Sequence, residues 1–463
     1  MRKVIVIGAG AAGLMAACAA SDAGARVIVL EHNEKAGKKI FITGKGRCNY
    51  TNACETEDFF SNVPRNPKFL YSAVYGFDAA AMTKFLNDNG CATKQERGKR
   101  CFPASDHSFD ITDALVRHLR AKGAELCFHT DVAKILTRDL PEAENAEDAV
   151  QGRKAPRKKK GPEKVVTGVC LANGRILEAD AVIAATGGMS YASTGSTGDG
   201  WRFARDLGIS VEPARPSLVP LVLEEKWPEQ LQGLSLRNIS LRMEKWEEAD
   251  TAPENTNPAQ NRKRTRKPLY EGFGELLFTH FGISGPLVLT ASCHTDFQKN
   301  PEGYELYLDL KPALSEEELA TRLLREIDLA PRKELRNLLK ALLPERLALI
   351  LADEFSKTLT APSAEGGAQR LSYTLNEKEV RLLARYLKAV PLHAVGTRGF
   401  SEAIVTAGGI QVREINPSTM EARKVQNLYF AGEVLDTDAY TGGFNLQIAW
   451  STGHLAGESA AGR

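Results

Sequence analysis

The chain has 463 residues, of which 43% are hydrophobic and 25% charged, and these values are typical of a soluble globular protein with two or three domains. The formal net charge of +2 excludes an overall electrostatic field that would direct the protein to nucleic acid or to a membrane. We find no signal peptide, no apolar run of the ~18 residues that a membrane span needs, and no CxxC pair among the eight cysteines. We therefore expect a cytoplasmic protein with reduced thiols and without a zinc or iron–sulfur site.

The first thirty-one residues predict a strand, a glycine turn, a helix and a second strand, in that order. An apolar run over residues 4–7 leads into glycines that follow the GxGxxG pattern of dinucleotide-binding folds. Glu31 ends the second strand, where a carboxylate would bind a ribose diol while the diphosphate lies at the helix N-terminus. An ordinary βαβ unit is the alternative, and this stretch alone does not separate FAD from NAD. The residues that we predict to bind the cofactor here are Gly8, Gly10, Ala11, Ala12, Gly13 and Glu31.

A glycine-rich, basic segment over residues 38–52 follows the second strand. It lacks the GxxxxGK[ST] spacing of a P-loop, but it would close over the nucleotide and bring Arg47 or Lys39 to phosphate oxygens. A flexible surface loop is the alternative. The predicted cofactor-binding residues of this segment are Lys39, Thr43, Gly44, Gly46, Arg47, Cys48 and Asn49.

Helical and strand-like patterns alternate over the next part of the chain. We predict helices near residues 79–89 and 111–122, a strand over 125–129 and a hairpin over 165–179. A buried strand then ends in a Thr-Gly-Gly turn, which predicts a second close approach of backbone to cofactor. The cofactor-binding residues predicted there are Ala185, Thr186, Gly187 and Gly188.

Two basic segments, residues 153–160 and 262–267, lie in polar insertions with little to bury. Such runs are usually solvated loops, and we favour that interpretation. The alternative is contact with RNA or with an acidic partner.

The middle of the chain divides into a β-rich region over residues 210–310 and a helical region over residues 315–390. In the helical region, Ser315 and Glu318 form a capping box, and we expect core packing without chemistry. In the β-rich region, His280 lies among Thr, Gly and Ser in a turn-rich segment, which makes it a candidate catalytic residue. A structural histidine is the alternative.

The last hundred residues carry a second strong pattern. A strand over residues 427–430 leads to Gly432 and Glu433, and residues 440–450 predict a glycine turn that opens a helix. The N-terminus of that helix would stabilise negative charge at the pyrimidine edge of a flavin, which a nicotinamide does not require. Helix N-termini at the two ends of the chain therefore favour FAD. The predicted cofactor-binding residues here are Gly432, Glu433, Gly443, Asn445 and Leu446.

These blocks together resemble the BaiN-like NAD(P)/FAD-dependent oxidoreductases, the aminoacetone-oxidase type of FAD-binding flavoprotein, which are related in fold to fumarate reductase flavoproteins. The similar blocks include Thr43–Asn49 written as TGKGRCN, Phe278-Thr279-His280, and TGGFNLQ over residues 441–447. Ala439, where glycine is common, and the two basic insertions depart from the pattern outside these blocks. By similarity to two-dinucleotide-fold flavoproteins, Val132 is a candidate adenine contact.

The resemblance implies an α/β fold with a Rossmann-like FAD domain built from both chain ends. It also implies an inserted β-barrel-like domain and a helical insert. We place the first part of the FAD domain at residues 1–192, the β-rich domain at 193–312, the helical insert at 313–392 and the last part of the FAD domain at 393–463.

The resemblance also implies flavin redox chemistry. Our first hypothesis is that NAD(P)H drives hydride transfer through flavin N5 to an activated C=C bond of a small molecule, with His280 or Cys48 as proton donor. Packing within the nucleotide loop is the alternative for Cys48. A second hypothesis is a flavin-dependent dihydrouridine synthase that acts on ribosomal RNA, with phosphate contacts from the basic segments. A third is a non-catalytic, redox-sensing flavoprotein.

Overall fold

The computed structural model describes residues 1–141, 161–245, 268–359 and 367–463. The basic segments 153–160 and 262–267 lie outside the described residues. The chain divides into two compact units, which are described separately below: unit 1 comprises Met1–Ser217 and Gly399–Arg463, and unit 2 comprises Leu218–Arg398. No helix within the described ranges has both the length and the apolar composition needed to cross a membrane.

The strands within the described residues are β1 (Lys3–Ile7), β2 (Arg26–Leu30), β3 (Thr51–Asn52), β4 (Thr93–Glu96), β5 (Arg100–Pro103), β6 (Glu125–Cys127), β7 (Val132–Asp139), β8 (Lys164–Leu171), β9 (Ile176–Glu178), β10 (Ala181–Ala184), β11 (Val211–Ser217), β12 (Leu221–Leu223), β13 (Ser235–Lys245), β14 (Tyr270–Thr279), β15 (Gly282–Ser284), β16 (Tyr304–Asp309), β17 (Val390–Thr397), β18 (Val405–Ile410), β19 (Val425–Gln426) and β20 (Leu428–Phe430).

The α-helices are α1 (Ala11–Asp22), α2 (Thr56–Phe60), α3 (Tyr71–Gly76), α4 (Ala79–Asp88), α5 (Phe109–Ala121), α6 (Asp199–Asp206), α7 (Pro286–Ser292), α8 (Glu316–Leu329), α9 (Leu335–Leu339), α10 (Glu345–Lys357), α11 (Glu377–Lys388) and α12 (Phe444–Ala461). The predicted helices near residues 79–89 and 111–122 correspond to α4 and α5, and the predicted capping box of Ser315 and Glu318 is present at the start of α8.

Unit 1 is organised around a parallel sheet with strand order β20-β10-β1-β2-β6. The strands are short apolar runs, and β1, β2 and β10 are almost completely buried, as expected for a sheet covered on both faces. Strands from the start and the end of the chain lie in this one sheet. The expected Rossmann-like domain built from both chain ends is confirmed.

Helices α1 and α12 pack closely because small residues line their contact. A Cβ atom added to Gly453 would lie 2.4 Å from the Ala12 carbonyl oxygen, and one added to Gly457 would lie 2.3 Å from that of Ala16. These approaches leave no room for a side chain, so the two helices meet almost backbone to backbone. The contact joins the first helix of the chain to the last.

Unit 2 contains a closed barrel with strand order β12-β15-β14-β13-β16-β17, which confirms the expected β-barrel-like domain. The alternating pattern of β16, with Tyr304, Leu306 and Leu308 buried, points one face into the core. Leucine-rich faces of α8 to α11 belong to the same hydrophobic core as the barrel strands. The barrel and the helical region are therefore parts of one compact unit.

The observed division differs from the expected boundary at residue 193. Unit 2 begins at Leu218, because the preceding strand β11 pairs antiparallel with β18 inside unit 1. Helix α6 and β11 consequently belong to unit 1. A partner strand almost two hundred residues away along the chain determines this boundary, and a local pattern does not reveal it.

Candidate functional site

The turn between β1 and α1 forms a cradle that a ligand would fill. A Cβ atom on Gly13 would lie 1.9 Å from the Gly8 carbonyl oxygen, and one on Gly8 would lie 2.6 Å from that of Ala185, so protein packing requires both glycines. Gly10 is different, since it has an ordinary backbone conformation and a Cβ there would meet no protein atom within 4 Å. Neither packing nor strain explains this glycine, whereas close approach of a ligand would.

The first turn of α1 offers free donors beside this cradle. The first bond along the helix is from the Leu14 N–H to the Gly10 carbonyl oxygen, at 2.9 Å, which leaves the preceding N–H groups without an intrahelical acceptor. These groups and the helix dipole favour an anion such as a diphosphate.

Glu31 is fixed at the carboxyl end of β2. Its Oε2 accepts a hydrogen bond of 2.7 Å from the Ala9 N–H, and its Oε1 accepts bonds from the Asn33 backbone N–H at 2.8 Å and from Asn33 Nδ2 at 2.7 Å. The side chain is therefore held against the glycine turn, and 9% of the residue is exposed. A carboxylate can accept further bonds, so this placement fits a ribose diol.

The segment after β2 forms a 3-10 helix, Ile40–Gly46. In this segment Asn49 Oδ1 is buried and has no hydrogen-bond partner among the described residues, as expected of an acceptor that a ligand would satisfy. Thr43, in contrast, donates its hydroxyl to the Ile40 carbonyl oxygen at 2.7 Å.

Arg47 contacts carboxylates in this structure. Its Nε donates to Asp106 at 2.8 Å, its guanidinium also pairs with Glu96, and it stacks on the Phe102 ring with a separation of 4.3 Å. The contact of Arg47 with a phosphate therefore stays a prediction, and reaching a phosphate would require these pairs to open.

Cys48 is fully buried and has a left-handed backbone with φ of 55°. Burial raises the pKa of its thiol to about 12. A thiol in this environment is a weak acid, so its position favours packing within the loop over proton donation.

A network of polar side chains joins four segments that sequence reasoning treated separately. Lys39 Nζ donates to Glu433 Oε2 at 2.7 Å and to Ser190 Oγ at 2.8 Å, and the Thr406 N–H donates to Glu433 Oε1 at 2.8 Å. A Cβ on Gly188 would lie 2.5 Å from Thr406 Oγ1, so the Thr-Gly-Gly turn is packed onto this network. Ser190 and Thr406 were missed, because no local motif marks them.

The turn before α12 is built on close backbone contact. Gly443 has φ of 99°, and a Cβ there would lie 2.5 Å from the Thr51 carbonyl carbon. The Asn445 side chain accepts a bond of 2.9 Å from the Ala439 N–H and donates one of 2.7 Å to the Ala439 carbonyl oxygen. The first intrahelical bond joins the Gln447 N–H to Gly443, so the N–H groups of Phe444, Asn445 and Leu446 are not used within the helix.

A second feature that sequence reasoning missed anchors the loop before this turn. Asp438 is fully buried and accepts bonds from Arg65 Nε at 2.8 Å and from Ser217 Oγ at 2.7 Å. Asn66 Nδ2 donates to the Asp436 carbonyl oxygen at 2.7 Å, and burial raises the pKa of Asp436. The signal available in the sequence was the pair of acids two residues apart, just ahead of the glycine turn.

The remaining predicted residues lie in two different units. Val132 begins β7 in unit 1, where it pairs with Leu171. His280 belongs to unit 2 and lies in the turn between β14 and β15, where its ring is exposed and packs edge to face on Phe281 at 4.9 Å. All the predicted cofactor-binding residues are therefore in unit 1, and His280 is the predicted site residue in unit 2.

The residues of unit 1 fit a dinucleotide with a flavin. The nucleotide half would find hydrogen-bond donors in the first turn of α1 and an acceptor in the fixed carboxylate of Glu31. The space beside Gly10 and the unpartnered Asn49 Oδ1 also suit it. The free N–H groups of α12 suit an electron-rich ring edge. No group of acidic, His or Cys side chains in the described ranges is arranged to hold a metal ion. This combination defines a Rossmann-type FAD-binding oxidoreductase.

Comparison with known proteins places the chain more closely. A family model described as the HI0933-like protein Rossmann domain matches residues 2–459, and the chain belongs to this family. The chain is 31% identical to the 3-dehydro-bile acid delta(4,6)-reductase of Clostridium scindens, with 100% of both chains covered. It is 30% identical to the ribosomal RNA dihydrouridine synthase of Escherichia coli, with 97% of this chain and 95% of that protein covered.

A solved structure of 3-ketosteroid delta1-dehydrogenase from Sterolibacterium denitrificans, in complex with 1,4-androstadiene-3,17-dione, is also similar. It is 14% identical, covers 100% of each chain and has a TM-score of 0.47.

Proposed function

We propose that this protein uses FAD to transfer a hydride from NADH or NADPH to an activated C=C bond of a small organic substrate. The observation that carries the proposal is the assembly, within unit 1, of Glu31 and the free N-termini of α1 and α12. One helix N-terminus suits a diphosphate and the other suits a flavin ring, so a single dinucleotide would use both.

Bound FAD would supply hydride transfer at N5 of its ring. Glu31 would accept hydrogen bonds from a ribose, and the first turn of α1 would donate to the diphosphate. The first turn of α12 would donate to the pyrimidine edge of the ring and favour negative charge there. The packing of Gly443 on Thr51 and the amide of Asn445 hold that helix N-terminus in place.

The substrate class is inferred from similarity. The bile acid reductase of Clostridium scindens matches the chain from end to end, and its name describes reduction of ring double bonds in a 3-dehydro-bile acid. In such a compound a carbonyl group conjugated with the C=C bond makes the far carbon electrophilic. We therefore propose a carbonyl-conjugated alkene as substrate.

The second hydrogen must arrive as a proton on the adjacent carbon. Of the two candidates, His280 is exposed in a turn, whereas the Cys48 thiol is buried and has a pKa raised to about 12. We therefore propose His280 as the proton donor.

The test uses the purified, FAD-loaded protein with NADH or NADPH and a 3-oxo-4,6-diene bile acid under nitrogen. We expect mass spectrometry to detect a product that has gained two hydrogens, at a rate that depends on protein and on nicotinamide. An unchanged substrate with either nucleotide, although the bound flavin is reduced, would contradict this substrate class.

A second candidate is reduction of the C5=C6 bond of uracil in ribosomal RNA. It is favoured by 30% and 28% identity to the ribosomal RNA dihydrouridine synthases of Escherichia coli and Haemophilus influenzae, each over 97% of this chain. The chemistry is similar, because the uracil ring also presents a C=C bond conjugated with a carbonyl. Loss of dihydrouridine from ribosomal RNA in a strain that lacks the gene would favour this candidate, and unchanged dihydrouridine would exclude it.

A further inference from the structure

Lys39 and Glu433 are 394 positions apart in the chain and form an ion pair. Lys39 Nζ is 2.7 Å from Glu433 Oε2, and the two side chains are 22% and 20% exposed. The ammonium group also donates to Ser190 Oγ at 2.8 Å. The pair is thus largely removed from water and is geometrically fixed, unlike a typical surface salt bridge.

The second carboxylate oxygen of Glu433 is also occupied. Its Oε1 accepts bonds from Ser190 Oγ at 2.9 Å and from the Thr406 N–H at 2.8 Å, and both of those residues are fully buried. The Glu433 carboxylate is therefore oriented by three groups, of which only Lys39 carries a charge.

The pair lies after strands of the parallel sheet. Lys39 follows β2, Ser190 follows β10 and Glu433 follows β20, and the carboxyl ends of parallel strands meet at one edge of a sheet. At this edge α1 would hold an anionic diphosphate. An unpaired Glu433 carboxylate near that anion would repel it, and would also be poorly solvated.

We propose that Lys39 is a positioning residue for FAD, which neutralises and orients Glu433 so that this carboxylate does not oppose the diphosphate. This inference rests on the proposed function only in assuming that FAD is the ligand. It differs from our sequence-based prediction that Lys39 contacts a phosphate directly. In the present inference the effect of Lys39 on FAD passes through Glu433.

A double-mutant cycle on FAD affinity separates these two roles. The Kd of FAD is measured by titrating apoprotein for the wild type, Lys39→Met, Glu433→Gln and the double variant. We expect Lys39→Met to weaken binding by about tenfold or more, because it leaves a partly buried carboxylate unpaired. Glu433→Gln alone is the reference for the double variant, because its amide oxygen can still accept from Ser190 and Thr406.

The decisive measurement is the double variant. If Lys39 acts through Glu433, the double variant binds FAD about as tightly as Glu433→Gln alone. If the double variant is as weak as Lys39→Met alone, Lys39 contacts the diphosphate directly and the inference is wrong.

Two controls keep the result interpretable. Lys84→Met removes an exposed lysine that pairs with Asp88 on α4, and we expect it to leave the Kd unchanged. Thermal unfolding of each apoprotein shows whether a variant is folded. An equal FAD affinity in all four proteins of the cycle would also contradict the inference. Failure of the wild type to bind FAD would instead contradict the proposed function, so the two failures are distinguishable.

Discussion

Glu31 and Gly10 illustrate how single residues define the nucleotide site. Both carboxylate oxygens of Glu31 accept hydrogen bonds from the backbone and side chain around it. A Cβ atom on Gly10 would point into space that no atom of the described residues fills. The carboxylate is therefore pre-oriented, which lowers the entropic cost of ligand binding.

Replacement of Glu31 tests this role. We expect Glu31→Ala to weaken FAD binding by about tenfold to a hundredfold, because two charge-assisted hydrogen bonds to a ribose diol would be lost. Fluorescence titration of the apoprotein with FAD measures the change. Glu34→Ala is the matched control, since Glu34 is an exposed acid that pairs with Lys38 on the surface. Equal affinities of the two variants would contradict the role of Glu31.

The thiol of Cys48 gives a pH-dependent prediction. Its pKa is raised to about 12, so the reactive thiolate forms only as the pH approaches that value, and burial further blocks reagents. We expect iodoacetamide at pH 8 to modify the partly exposed Cys170 well before Cys48 in the folded protein. Peptide mass spectrometry follows both sites, and earlier labelling of Cys48 would show that our description of its environment is wrong.

His280 is the residue on which the proton-transfer proposal depends. We expect His280→Ala to lower turnover by about a hundredfold, because a positioned general acid contributes a factor of that order. FAD should stay bound, since the predicted cofactor-binding residues are in unit 1. His107→Ala is the control, because His107 is also exposed and also contacts a phenylalanine ring, that of Phe109. Unchanged turnover of the FAD-loaded His280 variant would remove it from the mechanism.

Local sequence patterns predicted the individual site residues only where they form a motif. The glycines, Glu31 and the TGGFNLQ block were found because their spacing along the chain determines their chemistry. The pairing of Lys39 with Glu433, and of Arg47 with Glu96 and Asp106, depends on distant parts of the fold. A lysine or arginine beside a glycine-rich segment does not show whether its partner is a phosphate or a carboxylate.

At the scale of elements, the contact between α1 and α12 determines how the two chain ends come together. Both helices are rich in Ala and Gly, and the sequence predicts the first of them, α1. Which helix it packs against was not predicted, because small residues allow close approach without specifying the partner. The positions of α4, α5 and α8 were predictable, since each has a clear apolar periodicity or cap.

Gly453 provides a test of this helix contact. We expect Gly453→Ala to lower the free energy of unfolding by about 1–3 kcal/mol, because its Cβ would lie 2.4 Å from the Ala12 carbonyl oxygen and force the helices apart. Denaturation in urea measures the change. Gly76→Ala is the control, since a Cβ at that helical glycine would meet no atom within 4 Å. A Gly453 variant as stable as the control would contradict the packing.

At the scale of the whole molecule, the predicted cofactor-binding residues belong to unit 1, and unit 2 is inserted into the sequence of unit 1. Unit 1 takes its sheet from the first two hundred residues and the last seventy, while unit 2 has its own core of barrel strands and helices. The sequence predicted this nesting, because a dinucleotide motif at one end and a flavin-type turn at the other imply one domain. It misplaced the start of the insertion, since the pairing of β11 with β18 joins segments far apart in the sequence.

The most direct test of the central claim is the visible absorption spectrum of the purified protein during addition of NADH or NADPH under nitrogen. We expect the two absorption bands of oxidised flavin, and we expect them to bleach with at least one of the two nucleotides, because bound FAD accepts the hydride. A protein that takes up no flavin even when FAD is supplied, or whose bound flavin keeps its spectrum with both nucleotides, would contradict the proposal of an NAD(P)H-driven FAD oxidoreductase.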